Sequence, residues 1–217
     1  MNNLIKRICR GMVIFSCLML HLNYSFSQTD IHTLYSDCKL EGQLSFEIFK
    51  KAIIGYNKIP GIKKRNVISI IDFTQASTSK RFFVIDLQNK KLLYACLVAH
   101  GRNSGDNMAK SFSNKPKSLK SSLGFYLTAE TYIGKHGYSL KLDGLEKNIN
   151  DKAREREIVI HGAEYVSEKF AKLQGRIGRS WGCPALPKDL AKEIIDVISK
   201  GSCLFIYAED VLSLIHI

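Results

Sequence analysis

The sequence predicts a single β-rich α+β domain with helices at its periphery. Short runs rich in β-branched and aromatic residues recur along the chain between turns containing Gly, Asn or Asp, which is typical of strands. About seven such runs are present, whereas only three segments repeat their apolar residues at helical spacing. A length of 217 residues suits one domain, and a hydrophobic content of 45% argues against extensive disorder.

Residues 1–27 have the pattern of a secretory signal peptide. Three basic residues between positions 6 and 10 precede an apolar run at 12–22, and small residues then favour cleavage after Ser27. The apolar run is too short to span about 30 Å of hydrocarbon as a helix. Cys17 lies inside this run and not at its end, which does not fit an acylated lipoprotein. We therefore expect export to the periplasm or cell envelope.

Beyond the signal segment the chain is strongly basic. Residues 28–217 contain 29 basic and 20 acidic side chains, a net charge of +9. A basic exported protein is attracted to anionic surfaces, so the anionic cell envelope is the expected partner. Nucleic acid is not expected as a partner, because the sequence contains no RNA- or DNA-binding motif and the protein is predicted to be exported. The sequence does not predict an oligomeric state.

The secondary structure follows from local patterns. Residues 28–41 are expected to form an irregular leader, and residues 44–56 a helix with apolar side chains on one face. Two further helices are predicted, one at 165–173 and one that begins at Pro187 and stops at Gly201. Strands are predicted at 67–73, 81–87, 91–99, 124–131, 139–142, 158–160 and 204–207.

A polar segment at 100–122 has no predicted element of its own. It begins with a Gly-rich stretch and ends with a stretch rich in Ser and Lys. Loops of this length in compact domains are usually functional or disordered. We expect this segment to fold over a substrate.

Four cysteines follow the signal segment, at Cys38, Cys96, Cys183 and Cys203. In an oxidising compartment they could form two disulfides. Cys96 and Cys203 lie in apolar runs, however, and are explained more simply as buried thiols. No pair has the spacing of a zinc knuckle or a thioredoxin-like site. Cys183 differs from the others because Gly and Pro flank it in a turn.

His161 and Cys183 are candidates for a base and a nucleophile. His161 follows the apolar run 158–160, and Cys183 lies 22 positions later. A cysteine nucleophile needs a base, a group that orients the base, and donors for the oxyanion. Gly182 allows close approach of the backbone at this point. A buried structural histidine and an inert turn cysteine remain the alternative, and His100, which also precedes a Gly after a strand, is a rival base.

The pairing of these motifs resembles a known family. His161-Gly162 and Ser180-Trp181-Gly182-Cys183 are similar to the paired signature of L,D-transpeptidase catalytic domains. The Ser-Trp-Gly-Cys-Pro ending resembles the murein L,D-transpeptidase subfamily in particular. Further similarity lies at 84–87, 91–94, 99–101, 112–114, 121–126 and 144–146.

The resemblance covers residues 67–207 and implies an L,D-transpeptidase-like β-sandwich with peripheral helices. Residues 28–66 are then an N-terminal leader and helix, and residues 208–217 a C-terminal tail. The implied enzyme attacks the amide after the L-centre of a diamino acid in a peptidoglycan tetrapeptide stem. It releases D-Ala, holds the acyl group as a thioester and passes it to an amine of a neighbouring stem.

The resemblance also implies roles for individual residues. Cys183 is the nucleophile, His161 the base, and the carbonyl of Gly162 orients the imidazole. The N–H groups of Gly182 and Cys183 are the oxyanion donors, and Ser180 is expected to hold the nucleophile turn and contact substrate. No metal or organic cofactor is implied.

A substrate-binding arginine has to be sought outside the nucleophile motif. The better-known pattern places Arg two positions after the cysteine, where this chain has Ala185. Arg179, Arg176 or Arg102 is therefore the candidate partner of a substrate carboxylate.

His100 and Tyr165 complete the predicted substrate-binding residues. Hydrolysis of the same thioester, which would make the protein an L,D-carboxypeptidase, remains open. A non-catalytic cell-wall-binding module is a further alternative, which the intact Cys183 and His161 disfavour. A papain-like peptidase fits less well, because its cysteine normally precedes its histidine.

Overall fold

The computed structural model describes residues 28–64 and 66–209. Within these residues, eight strands form one continuous sheet and four helices pack around it, which confirms the predicted β-rich α+β class. The predicted signal peptide lies outside the described residues, and so does the C-terminal tail beyond residue 209. No helix in the described part of the chain is both long and apolar enough to cross a membrane.

The helices and strands have the following bounds. The helices are α1 Gln28–Asp37, α2 Phe46–Lys58, α3 Glu168–Gln174 and α4 Lys188–Ile198. The strands are β1 Val67–Asp72, β2 Phe82–Asp86, β3 Lys91–Cys96, β4 Gly124–Gly134, β5 Gly137–Gly144, β6 Val159–Ala163, β7 Ala185–Pro187 and β8 Cys203–Tyr207. Across the sheet the order is β3-β2-β1-β8-β4-β5-β6-β7. The β1–β8 and β6–β7 pairs are parallel, and the other neighbours are antiparallel.

The sheet is covered on both faces, so its central strands are buried throughout. On β1, Ile68 and Ile70 contact the core that α1 and α2 complete, whereas Val67 and Ile71 contact the core that α4 completes. Alternate side chains of a strand point to opposite faces, which explains the unbroken apolar run of this strand. The predicted domain boundary at residue 67 therefore does not coincide with a boundary between cores. Helices α1 and α2, which precede it, pack on one face of the sheet and share a core with it.

Three local predictions differ from the structure. The expected irregular leader at 28–41 is mostly the helix α1, whose buried residues Ile31 and Leu34 follow the helical spacing of an amphipathic segment. The helix expected at 165–173 begins later, where Ser167 caps it by accepting a hydrogen bond from the Phe170 N–H. The short strand β7 was not predicted, because it depends on a parallel partner, β6, more than 20 positions earlier in the chain.

The long segment 100–122 is hydrogen-bonded to residues 180–183, called here the nucleophile turn after the predicted role of Cys183. Ser121 Oγ donates to the Gly182 carbonyl at 3.1 Å, and the Ser121 N–H donates to Ser104 Oγ at 2.9 Å. No residue of this segment lines the cavity described below. Its polar groups instead bond the segment to itself and to the turn.

The four cysteines of the described residues are free thiols. Cys38, Cys96 and Cys203 are buried in the apolar cores. Burial was predicted for Cys96 and Cys203, because both lie in apolar runs. Cys183 alone among the four is partly exposed.

Candidate active site

A cavity of about 850 Å³ lies beside β6 and the turn that precedes β7. Parallel pairing of the two strands sets His161 opposite Ala185, two residues after Cys183. Both His161 and Cys183 line the cavity as a result. The 21 residues between them comprise the end of β6, α3 and the turns that flank this helix, and they return the chain to the same edge of the sheet.

Ser180 fixes the turn that carries Cys183. Its hydroxyl donates to the Cys183 carbonyl at 2.6 Å and accepts from the Gly182 N–H at 3.1 Å. Gly182 has a φ of +127°, and a Cβ there would lie 2.8 Å from the Lys120 carbonyl oxygen. Only glycine combines this left-handed conformation with so close an approach of a second backbone.

The oxyanion donors differ from the predicted pair. The Gly182 N–H already donates to Ser180 Oγ, so it is engaged within the turn. The Cys183 N–H makes no hydrogen bond with any described residue and is available to a reacting carbonyl oxygen. The turn thus presents one N–H where two were expected, because a side-chain acceptor two residues earlier takes the other.

Two backbone groups hold the sulfur of Cys183. The Val159 N–H donates to Sγ at 3.5 Å, and the thiol donates to the Glu157 carbonyl at 3.6 Å. Burial raises the pKa of the Cys183 thiol, and this outweighs the lowering by the Val159 N–H and the nearby cations Arg156 and Lys135. Cys183 is therefore a thiol near neutral pH.

His161 is oriented and its tautomer is fixed. Nδ1 lies 3.0 Å from the Gly162 carbonyl, which can only accept, so Nδ1 carries the proton and Nε2 keeps its lone pair. The His136 ring stacks on the other side at a centroid distance of 4.3 Å. Burial lowers the pKa of His161, with a further lowering by His136 and Lys135. A neutral imidazole and a neutral thiol that line the same cavity are suited to proton abstraction during attack.

The predicted substrate-binding residues fall into two groups. Ser180, Arg179 and Tyr165 line the cavity together with the catalytic candidates. Burial and, to a smaller extent, the nearby Cys183 raise the pKa of Tyr165 to about 12, so the phenol is protonated and can donate a hydrogen bond. Arg179 forms an ion pair with Asp106 at 2.7 Å.

His100 and Arg102 do not line the cavity. His100 is buried with both ring nitrogens occupied: Arg81 donates to Nδ1 at 2.8 Å, and Nε2 donates to the Gly105 carbonyl at 3.3 Å. Its pKa is lowered to about 4 by burial and by the Arg81 charge. We therefore assign His100 a structural role, because its Nδ1 accepts one of the hydrogen bonds of the buried Arg81. Arg102 has an exposed side chain.

Most residues of the cavity wall were not identified from the sequence as site residues, among them Lys135, His136, Arg156 and Trp181. The first two form the tip of the β4–β5 hairpin, which the sequence indicates only as a turn. Lys135 Nζ lies 5.3 Å from the centre of the Trp181 ring, so the hairpin tip and the nucleophile turn meet at the cavity mouth. No local signal marks Lys135 and His136, because the hairpin tip is more than 45 positions from Cys183 in sequence.

Comparison with known proteins identifies the family. A family model for the L,D-transpeptidase catalytic domain matches residues 40–207. No curated protein sequence matches the chain.

Among residues 28–64 and 66–209, no group of three or more His, Cys, Asp or Glu side chains is arranged to hold a metal ion.

Several solved structures are similar to this chain over about two thirds of its length. An L,D-transpeptidase from Mycobacterium smegmatis matches with 15% identity and a TM-score of 0.40, covering 66% of this chain and 59% of the other. An L,D-transpeptidase from Mycobacterium tuberculosis H37Rv matches with 13% identity and a TM-score of 0.40, covering 66% and 58%. The helical cell shape determining protein Pgp2 (K307A mutant) from Campylobacter jejuni matches with 16% identity and a TM-score of 0.43, covering 67% and 48%.

This chain therefore spans less than three fifths of the length of each of these three structures. The family match, by contrast, extends from within the N-terminal helical segment to the end of β8. It includes the whole sheet, His161 and the turn that carries Cys183. By this match the chain belongs to the L,D-transpeptidase catalytic domain family.

Proposed function

We propose that this protein is a peptidoglycan L,D-transpeptidase that forms a thioester on Cys183. The observation that carries the proposal is the shared cavity, where the Cys183 thiol and a His161 imidazole with an unprotonated Nε2 both line the wall. Membership of the L,D-transpeptidase catalytic domain family supports the same reaction class. The proposed donor is a tetrapeptide stem, and the proposed acceptor is an amine of a neighbouring stem.

The reaction begins with attack of the Cys183 sulfur on the carbonyl carbon of the amide after the L-centre. The thiol proton passes to His161 Nε2, and the carbonyl oxygen becomes an oxyanion that accepts from the Cys183 N–H. The tetrahedral intermediate collapses by breaking the C–N bond. The imidazolium returns its proton to the leaving nitrogen, so D-Ala departs and the thioester remains.

The second half of the reaction transfers the acyl group. The acceptor amine attacks the thioester carbonyl, and His161 takes a proton from the nitrogen as the new amide forms. The C–S bond breaks, and the proton passes to the sulfur, which restores the thiol. Water in place of the amine would give an L,D-carboxypeptidase with the same residues.

Product analysis tests the proposed reaction. Purified tetrapeptide muropeptides incubated with the enzyme should yield a cross-linked dimer that has lost one D-Ala, seen by mass spectrometry. A tripeptide as the sole product would replace the transpeptidase proposal with hydrolysis. Unchanged muropeptides would favour a cell-wall-binding module instead.

We also propose that the protein acts in the cell envelope, where its substrate lies. The signal-like pattern of residues 1–27 and the basic remainder of the chain support this location. N-terminal sequencing of the protein from the envelope fraction should give a chain that begins near Gln28. Recovery of the chain with Met1 still in place would contradict export through cleavage.

A further inference from the structure

The cations of the cavity wall differ in how their charges are balanced. Lys141 and Arg154 both pair with Glu130, at 3.0 and 2.8 Å, and Arg154 also bonds Asp143. Arg179 pairs with Asp106. Arg156 and Lys135 also line the wall, and neither has a carboxylate partner within the described residues. These two side chains are the candidates for binding an anionic group of a substrate.

Arg156 is held rigidly by neutral groups. Nη1 donates to Ser122 Oγ at 3.0 Å, and Nη2 donates to the Lys120 carbonyl at 2.5 Å and to Ser118 Oγ at 3.5 Å. A guanidinium has five N–H donors, so the Nε hydrogen and one Nη1 hydrogen remain for a ligand. The side chain is half-buried, and none of its protein partners carries a negative charge. It is therefore a positioned cation with unused donors.

Arg156 also lies beside the nucleophile turn. A Cβ placed on Gly182, the residue before Cys183, would be 3.4 Å from Arg156 Nη2. Lys135, in contrast, is exposed at the tip of the β4–β5 hairpin and lies over the Trp181 ring at the mouth. Of the two unpaired cations, Arg156 is the one that lies against the turn itself, next to the residue before Cys183.

We infer that Arg156 binds the terminal carboxylate of the donor stem and thereby selects stems that end one residue after the scissile amide. This inference rests on the proposed function. In such a donor, three covalent bonds separate the carboxylate carbon from the scissile carbonyl carbon. A cation beside the nucleophile turn can therefore contact the carboxylate while the scissile carbonyl lies at Cys183. A guanidinium suits this contact because its planar N–H groups match a carboxylate.

The arginines expected from the sequence are less suited to this role. Arg179 and Arg176 both face Asp106, at 2.7 and 4.0 Å, so a substrate carboxylate would have to compete with a protein carboxylate. Arg102 is outside the cavity. Arg156 replaces them as the specificity-determining residue.

Two donors that differ only at the terminal group test this inference. One is a tetrapeptide stem with a free terminal carboxylate, and the other is the same peptide with a terminal amide. The kcat/KM for loss of the terminal residue is measured for the wild type, Arg156→Gln, Arg156→Lys and Lys172→Gln. The last variant removes one exposed positive charge on α3, away from the cavity, and controls for net charge.

The wild type should prefer the carboxylate donor by about 10- to 100-fold, the usual range for a charge-assisted hydrogen bond. Arg156→Gln should lose this preference because its kcat/KM falls for the carboxylate donor only. Arg156→Lys should retain part of the preference. Lys172→Gln should match the wild type. Equal slowing of both donors in Arg156→Gln would show that Arg156 only braces the 118–122 segment, and an unchanged preference would exclude the contact.

A binding measurement separates this inference from the proposed function. Calorimetry on Cys183→Ala compares the Kd values of the two peptides without any chemistry, with Cys183→Ala/Arg156→Gln as the paired variant. The carboxylate peptide should bind more tightly only when Arg156 is present. If the wild type reacts with neither donor but Cys183→Ala still binds the carboxylate peptide more tightly, only the proposed transpeptidase reaction is contradicted. Equal Kd values in Cys183→Ala would overturn the role of Arg156.

Discussion

Replacement of Cys183 by alanine should abolish acyl-enzyme formation. In the proposed mechanism its sulfur is the only atom that forms a bond with the substrate carbonyl, and the other three described cysteines are buried in the cores. Family resemblance implies that a carbapenem-class β-lactam acylates the same sulfur. Intact-mass spectrometry should therefore show one adduct on the wild type and none on Cys183→Ala.

Cys203→Ala and Cys96→Ala are the matched controls for this result. Both thiols are buried, at 0% and 3% exposure, and burial raises their pKa values, so neither is a competent nucleophile. We expect both variants to be labelled like the wild type and to lose on the order of 1 kcal/mol in the free energy of unfolding. An adduct that persists on Cys183→Ala would contradict the assignment of the nucleophile.

Replacement of His161 by glutamine should slow acylation by about 10²–10⁴-fold, the usual contribution of general-base catalysis. Gln nearly preserves the volume and a hydrogen-bonding group, so the fold should be retained, which circular dichroism can verify. The loss arises because the Cys183 thiol, with its raised pKa, then has no neighbouring group to accept its proton. Stopped-flow acylation by a carbapenem measures the rate directly.

The pH dependence of acylation gives a second readout. Burial lowers the pKa of His161 below its ordinary value of 6.5, so the wild-type rate should persist below pH 6.5 and fall only when the imidazole becomes protonated. The rate of His161→Gln should instead rise continuously toward alkaline pH, because it depends on the small fraction of thiolate. The wild-type rate falls at low pH because the neutral imidazole is the active form, and protonation removes it.

His100→Gln provides the histidine control. Since His100 is buried outside the cavity and bonded at both nitrogens, its replacement should leave the acylation rate of the folded protein nearly unchanged. His161→Gln that acylates at the wild-type rate, or His100→Gln that is inactive while folded, would overturn the proposed base.

The roles of His100 and His161 cannot be distinguished from the sequence alone. Each follows an apolar run and precedes a glycine, so their local contexts are nearly the same. The fold places Arg81 against His100 and leaves His161 at the cavity wall. Burial and partners decide a histidine's role, and both depend on contacts with residues distant in sequence.

Local patterns were sufficient for most of the secondary structure. Apolar periodicity and turn residues predict α2, α4 and seven of the eight strands, because these signals depend on residues a few positions apart. The prediction of an irregular leader is wrong for α1, where Ile31 and Leu34 have the same helical spacing. β7 has only three residues and includes Pro187, so its strand character comes from the long-range pairing with β6.

The sequence by itself determined the family and the β-rich class, and it named His161 and Cys183 as the candidate pair, because the HG and SxGC motifs are short segments of fixed composition. Tertiary structure alone decided the charge and shape of the cavity. Arg156 lies 27 positions before Cys183, and a lone arginine in so basic a chain carries no signal of its own. Its significance depends on lacking a carboxylate partner and lying beside Gly182, and only the folded chain defines those two relations.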